Sequence, residues 1–256
     1  MAKNIPLFRV LSVFFTACTA VVCQAEIDDP HLLDLLQRHA ATQRSNDHPN
    51  GLNSIILEGT HEKIDASTSL VKVSKERPSK IRFETLQDNG IEVTIAYNGE
   101  LGVSWGRLDD GKQIALVDPK QASINWLAID ADFDGHLIRA LNGDKTVVLT
   151  RLANYAVPNT KLKLECILAT DGSGLKFRYY LNPKTAYLMR KQVDPGQGED
   201  SPVMEVRYSR HRLVDGVPIA HRSELYADGV LTNIETYKEI RLNTEIYDFL
   251  FAKPKF

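Results

Sequence analysis

The sequence predicts a mostly β, α+β protein, with one antiparallel sheet behind an N-terminal helix. Three observations point there. The hydrophobic period switches from 3.6 to 2 after Gly51. Short alternating runs then recur at regular spacing, separated by Asn-Gly, Asp-Gly and Asn-Pro turn pairs. The alternation stops only between Pro119 and Ala140, where a helical pattern returns.

The elements follow in order. Pro30 to Ser45 reads as a helix, with Leu32, Leu33, Leu35, Leu36 and Ala40 as its apolar stripe and Asp29 before Pro30 as its cap. Asn46 to Gly51, with Pro49, breaks it. Lys80 to Glu84 alternates charged and apolar residues. Ile91, Val93, Ile95 and Tyr97 share one strand face, as do Leu101, Val103 and Trp105, with Asn98-Gly99 turning the chain between them. Asp109-Asp110-Gly111 marks the next turn. Gln121 to Ile129 fits a short helix, and a second follows Asp134. Lys161 to Cys166 alternates, Asp171 to Gly174 turns, and Leu175, Phe177, Tyr179 and Leu181 share a face. Asn182 to Thr185 turns the chain into Ala186 to Val193. Met204, Val206 and Tyr208 form another face, and Asp215-Gly216 and Asp228-Gly229 mark the last turns. Gly196 to Pro202 reads as a loop within the sheet.

The first 25 residues read as a leader. Lys3 and Arg9 are positive, Val10 to Val22 carries no charge and is too short to span a bilayer, and Cys23-Gln24-Ala25 offers small residues before an abruptly acidic Glu26. This predicts a secretory signal peptide over 1–25, cleaved after Ala25, and a single domain over 26–256. Lipidation at Cys18 or Cys23 is the alternative, with poor matches to a lipobox. Cleavage leaves 256 − 25 = 231 residues and a net charge of −2 − 2 = −4. The balance of 31 basic and 33 acidic residues gives no basic excess of the kind nucleic-acid binding needs. Only Cys166 then remains, so no internal disulfide is expected.

No motif points to catalysis. Asp130, Asp132 and Asp134 with Gly135 imitate the start of a calcium loop, but its twelfth position is Leu141, not a bidentate acid. The turn reading is preferred there, and no metal is expected. The seven histidines form no zinc spacing and read as scattered surface residues. Cys166, among Leu162, Leu164 and Leu168, reads as a small buried hydrophobe. No nucleophile elbow, phosphate loop or dinucleotide fingerprint occurs, so no enzyme and no cofactor are expected. A hydrolase with dispersed carboxylates is a distant third reading. The sheet's own dry faces remain, carrying aromatic residues that either form core or line a partly filled ligand concavity.

Several segments together resemble the outer-membrane lipoprotein-sorting protein family, the LolA-like periplasmic carriers. Ala131 to Leu137 is similar to the family's D-F-D-G-x-L turn. Phe177 to Thr185 is similar to its Y-Y-hydrophobic-D/N-P-x-T strand and turn. Val214 to His221 is similar to its V-D-G stretch, with proline placed earlier at Pro218. Ile240 to Pro254 is similar to its closing segment. Between Leu149 and Lys161, where relatives carry glycines, this chain has Tyr155, Val157 and Pro158. The resemblance implies an open antiparallel half-barrel whose concave apolar face is covered by the N-terminal and short helices and holds acyl chains. It implies a periplasmic carrier of acylated lipoprotein or lipid toward the outer membrane, meeting inner- or outer-membrane transport proteins, with no catalytic residues. The alternative is a periplasmic sensor or scaffold binding a protein partner. The expected cavity lining is Phe83, Ile95, Trp105, Phe177, Tyr179 and Met189.

Overall fold

The computed structural model describes residues 27–64, 68–100, 104–109, 114–117, 127–194 and 202–253. The leader, the turn at 110–113, most of the first expected short helix, with Trp126, and the loop at 195–201 lie outside the described residues.

Helix α1 spans Pro30–Ala41. Its start is fixed by the Asp29 carboxylate, which accepts from the His31 and Leu32 amides at 2.9 and 3.2 Å, and by Pro30, whose missing N–H the first turn does not need. It ends four residues before the expected Ser45, because Thr42 Oγ1 donates to the His39 carbonyl at 2.7 Å and closes the last turn. Leu32, Leu35, Leu36 and His39 are buried, an i, i+3, i+4, i+7 stripe.

Among the described residues thirteen strands follow: β1 (Ser54–Lys63), β2 (Thr68–Glu76), β3 (Lys80–Leu86), β4 (Glu92–Tyr97), β5 (Ser104–Asp109), β6 (Ile114–Val117), β7 (Val148–Ala156), β8 (Lys163–Thr170), β9 (Lys176–Leu181), β10 (Leu188–Asp194), β11 (Met204–Val214), β12 (Val217–Ala227) and β13 (Val230–Leu242). They form one open antiparallel sheet in the order β6-β5-β4-β3-β2-β1-β13-β12-β11-β10-β9-β8-β7. The chain therefore meanders outward from β1 to one edge, crosses to the far edge at β7, and meanders back until β13 pairs with β1. A helical turn at 127–131 and helix α2 (Gly135–Leu141) lie on that crossing. The Asp215-Gly216 and Asp228-Gly229 turns carry positive φ at both residues, the geometry tight hairpins require. Near the centre, β1 and β13 slip register at Glu58/Gly59.

Three core clusters sit on the helix-covered face, one of them Leu52, Ile55, Val217 and Leu242 with Phe133 packed against it. Under α1 and α2 lie Ile167, Ala169, Phe177, Tyr179, Leu181 and Val193. Under 127–131 lie Val71, Val73, Ile81, Tyr97 and Tyr237, with Leu127 and Ala131 above them. The outer face is not bare. Leu164, Cys166 and Tyr180 are buried there with Leu152, Tyr155, Val157 and Met189, and Ile246 and Phe251 of the tail pack on Ile56. Among the described residues no helix is long and apolar enough to cross a membrane.

Candidate functional site

The three aspartates of the calcium-like segment do not converge. Asp130 Oδ1 lies 3.0 Å from Lys75 Nζ, Asp132 pairs with Arg139, and Asp134 pairs with Arg77, whose guanidinium also stacks over Phe133. The segment is a turn between two helical pieces, and its charges fasten it to β2 and to α2. Burial alone would raise the Asp130 pKa, but Lys75 and Lys191 more than offset it and hold it low.

The six expected lining residues separate. Phe83 and Ile95 pair across β3 and β4 on the helix-covered face, where with Leu57 and Ile240 they stay partly buried beside the cluster under 127–131. Phe177 and Tyr179 belong to the cluster under α1 and α2 and are 1% and 3% exposed, packed solid under α2. Met189 sits on the outer face beside Tyr180, because β10 slips register between Leu188 and Arg190. Trp105 pairs in register with Ala96, one position from the Ile95–Gly106 pair, and its side chain lies outside the described residues.

Two histidines depart from the surface expectation. His39 falls on the buried stripe of α1 and donates from Nδ1 to the Ala186 carbonyl at 2.9 Å. His136, on α2, stacks on Phe177 with ring centroids 4.0 Å apart and places Nδ1 2.8 Å from the Tyr179 hydroxyl. Burial holds the His136 pKa down at about 4, despite Asp132 and Asp171, and burial lowers His39 too. Both are buried neutral. The unfolded chain, with histidine near 6.5, takes up these protons first, so stability is full above pH 6.5 and falls as pH drops toward 4. The expected loss across that window is on the order of 2–3 kcal/mol from His136. Urea midpoints at pH 7.5 and 4.5 measure it, and a His136→Gln variant should show a shallower fall. Equal slopes in the two proteins would refute the assignment.

Other polar groups share the helix-covered face, and sequence reasoning did not find them. Lys75 donates to the Asp130 carbonyl at 2.7 Å, and Lys191, 9% exposed, donates to the Ile129 carbonyl at 3.3 Å. Glu235 accepts from Ser223 at 3.1 Å and from Tyr237, with His61 3.4 Å away, and His61 meets Phe83 edge-on. Tyr208 is raised well above the usual phenol range, by burial first and then by Asp130, Tyr179 and Glu235. Cys166 is raised by burial, so the thiol is not poised as a nucleophile. An open cleft of about 340 Å³ at the end of α1, lined by Arg38, Arg44, Thr185, Tyr187 and Pro218, is separate from the apolar floor.

No protein-family model matches the chain, and no curated protein matches it significantly. Three solved structures share its fold. A domain described as an outer membrane lipoprotein-sorting protein, from Vibrio parahaemolyticus, is 12% identical with a TM-score of 0.52, over 86% of this chain and 95% of its own. A DUF1329 family protein from Desulfovibrio piger is 11% identical with a TM-score of 0.53, over 86% and 95%. A LolA superfamily protein from Nitrosomonas europaea is 12% identical with a TM-score of 0.50, over 86% and 96%. At these identities the likeness is one of fold, an open helix-covered sheet of the LolA type.

Proposed function

We propose, from the LolA-like fold of this chain, that it is an exported carrier. It holds the acyl chains of lipoproteins or lipids on the helix-covered face of its sheet and moves them through the periplasm toward the outer membrane. The observation that carries this reading is the half-covered floor of Leu57, Phe83, Ile95 and Ile240 beside the 127–131 turn. An acyl chain laid on that floor leaves water, which is worth about 0.8 kcal/mol per methylene. The turn is held to the sheet by ion pairs, by Lys75 and Lys191 on its carbonyls and by the Phe133 amide donating to the Pro78 carbonyl at 3.2 Å. Helix α2 is held by its packing on Phe177, so shifting them needs no broken strand pairing. Phe177 and Tyr179 join the site only when α2 lifts, and Trp105 remains an expected wall. The leader over 1–25 supplies export.

Protein purified from the periplasmic fraction should have an intact mass that starts at Glu26 and should release fatty acids into an organic extract. It should bind a fluorescent acyl probe. Phe83→Ser, a change at a partly buried site, should weaken that binding about tenfold, the ratio given by 1.4 kcal/mol, with an unchanged circular dichroism spectrum. If the folded wild type binds no acyl probe and purifies instead in a stoichiometric protein complex, the chain is a partner-binding sensor or scaffold on the same fold.

A further inference from the structure

Lys75 on β2 and Lys191 on β10 come from opposite halves of the sheet, yet both reach consecutive residues of one helical turn. Lys75 takes the Asp130 carboxylate and carbonyl, at 3.0 and 2.7 Å. Lys191 takes the Ile129 carbonyl at 3.3 Å; burial pushes its pKa down, and the Asp130 carboxylate partly offsets this. Two cations thus face one anion. The neighbouring acids are otherwise occupied: Asp132 by Arg139, Asp134 by Arg77, and Glu235 by His61, Ser223 and Tyr237. Tyr208, half-buried, lies on the same face near Asp130. A buried ammonium with one long contact is unfavourable.

These contacts depend on the turn staying closed. When 127–131 shifts to admit an acyl chain, Lys75 and Lys191 lose the carboxylate and both carbonyls together. A neutral ligand would leave the buried Lys191 and the half-buried Lys75 without that counter-charge. A carboxylate or phosphate would satisfy both, at the shorter distances of charge-assisted bonds, and would accept from Tyr208.

Resting on the carrier reading above, we propose that the ligand is an anionic amphiphile, a carboxylate- or phosphate-headed lipid. Its headgroup takes the place of Asp130 between Lys75 and Lys191, with the chain on the floor around Phe83 and Ile95. Asp130 is then a built-in competitor for the headgroup site.

The test compares cis-parinaric acid with its methyl ester, on the mature full-length protein at pH 7. The acid should bind about tenfold tighter than the ester, the ratio a 1.4 kcal/mol difference gives. Lys191→Met and Lys75→Gln should each shrink that ratio toward one while ester binding holds. Asp130→Asn should tighten binding of the acid severalfold, a gain that a merely structural ion pair does not give, and it serves if a lysine variant fails to fold. Displacement by lysophosphatidylglycerol but not by zwitterionic lysophosphatidylcholine assigns a phosphate headgroup of net negative charge, and no displacement by either assigns the carboxylate. Equal binding of acid and ester overturns the headgroup assignment and leaves the carrier standing. Binding of neither overturns both.

Discussion

Gly59→Ala is expected to destabilise the protein by about 3 kcal/mol or more, although it adds one methyl group. Gly59 sits at the register slip where β1 meets β13, and there the strands approach closely. A Cβ at this position would lie 2.0 Å from the Thr236 carbonyl oxygen and 2.8 Å from Tyr237 Cα. Those are backbone atoms of the partner strand, so no rotamer change can clear the contact. The strands must part at the centre of the sheet, where they also carry the Glu58–Arg241 ion pair. A thermal midpoint roughly 6–12 °C below wild type is the expected reading. Gly90→Ala is the comparison. That position has φ +81 with nothing within 4 Å, so only backbone strain of about 1 kcal/mol applies. If Gly59→Ala melts within about 2 °C of wild type, the close approach of β1 and β13 is wrong.

Phe177→Ala is expected to cost about 3–5 kcal/mol. The ring is 1% exposed and lies between the sheet and α2, stacked on His136 and 6.5 Å from Tyr179. Its removal leaves a void that β9, paired on both sides with β8 and β10, cannot collapse to fill. Phe177→Leu keeps most of the volume and should cost about 1–2 kcal/mol. The alanine variant should also change the acid response. With the stacked ring gone and water able to enter, His136 moves back toward its ordinary value. Stability should then fall less between pH 6.5 and 4 than in wild type. Urea unfolding across that range reads both effects. A loss under about 1 kcal/mol would mean that α2 does not rest on Phe177 as described.

The turns and strand faces were legible in the sequence because their causes are local. Asp215-Gly216 and Asp228-Gly229 tolerate positive φ, and they turn the chain at those positions. The alternation around Cys166 marked a dry face, but period 2 does not say which side the helices cover. β7 and the 157–162 hairpin supply a second core on the outer side, so Cys166 and Met189 pack away from the helices. Strands β1 and β2 went unread because no Gly or Pro pair separates Lys63 from Thr68. His39 could have been found, since it continues the Leu32, Leu35, Leu36 stripe by one turn. His136 carries no such signal, because its partner Tyr179 is 43 residues away. The lysine pair is equally silent, since Lys75 and Lys191 meet the 129–130 turn from 55 and 62 residues off.

The strand order has a consequence for how the molecule assembles. Among the described strands, eleven of the twelve neighbouring pairs are successive hairpins, but the seam between β1 and β13 joins residues such as Glu58 and Arg241, 183 apart in the chain. Closing a loop of that length is entropically expensive, and contacts of such separation slow folding. Until β13 is available, β1 presents a bare, apolar edge in what becomes the middle of the finished sheet. The last strand to emerge is therefore the one that joins the halves. A chain cut before residue 230 would keep its helices and both meanders yet expose an adhesive central edge.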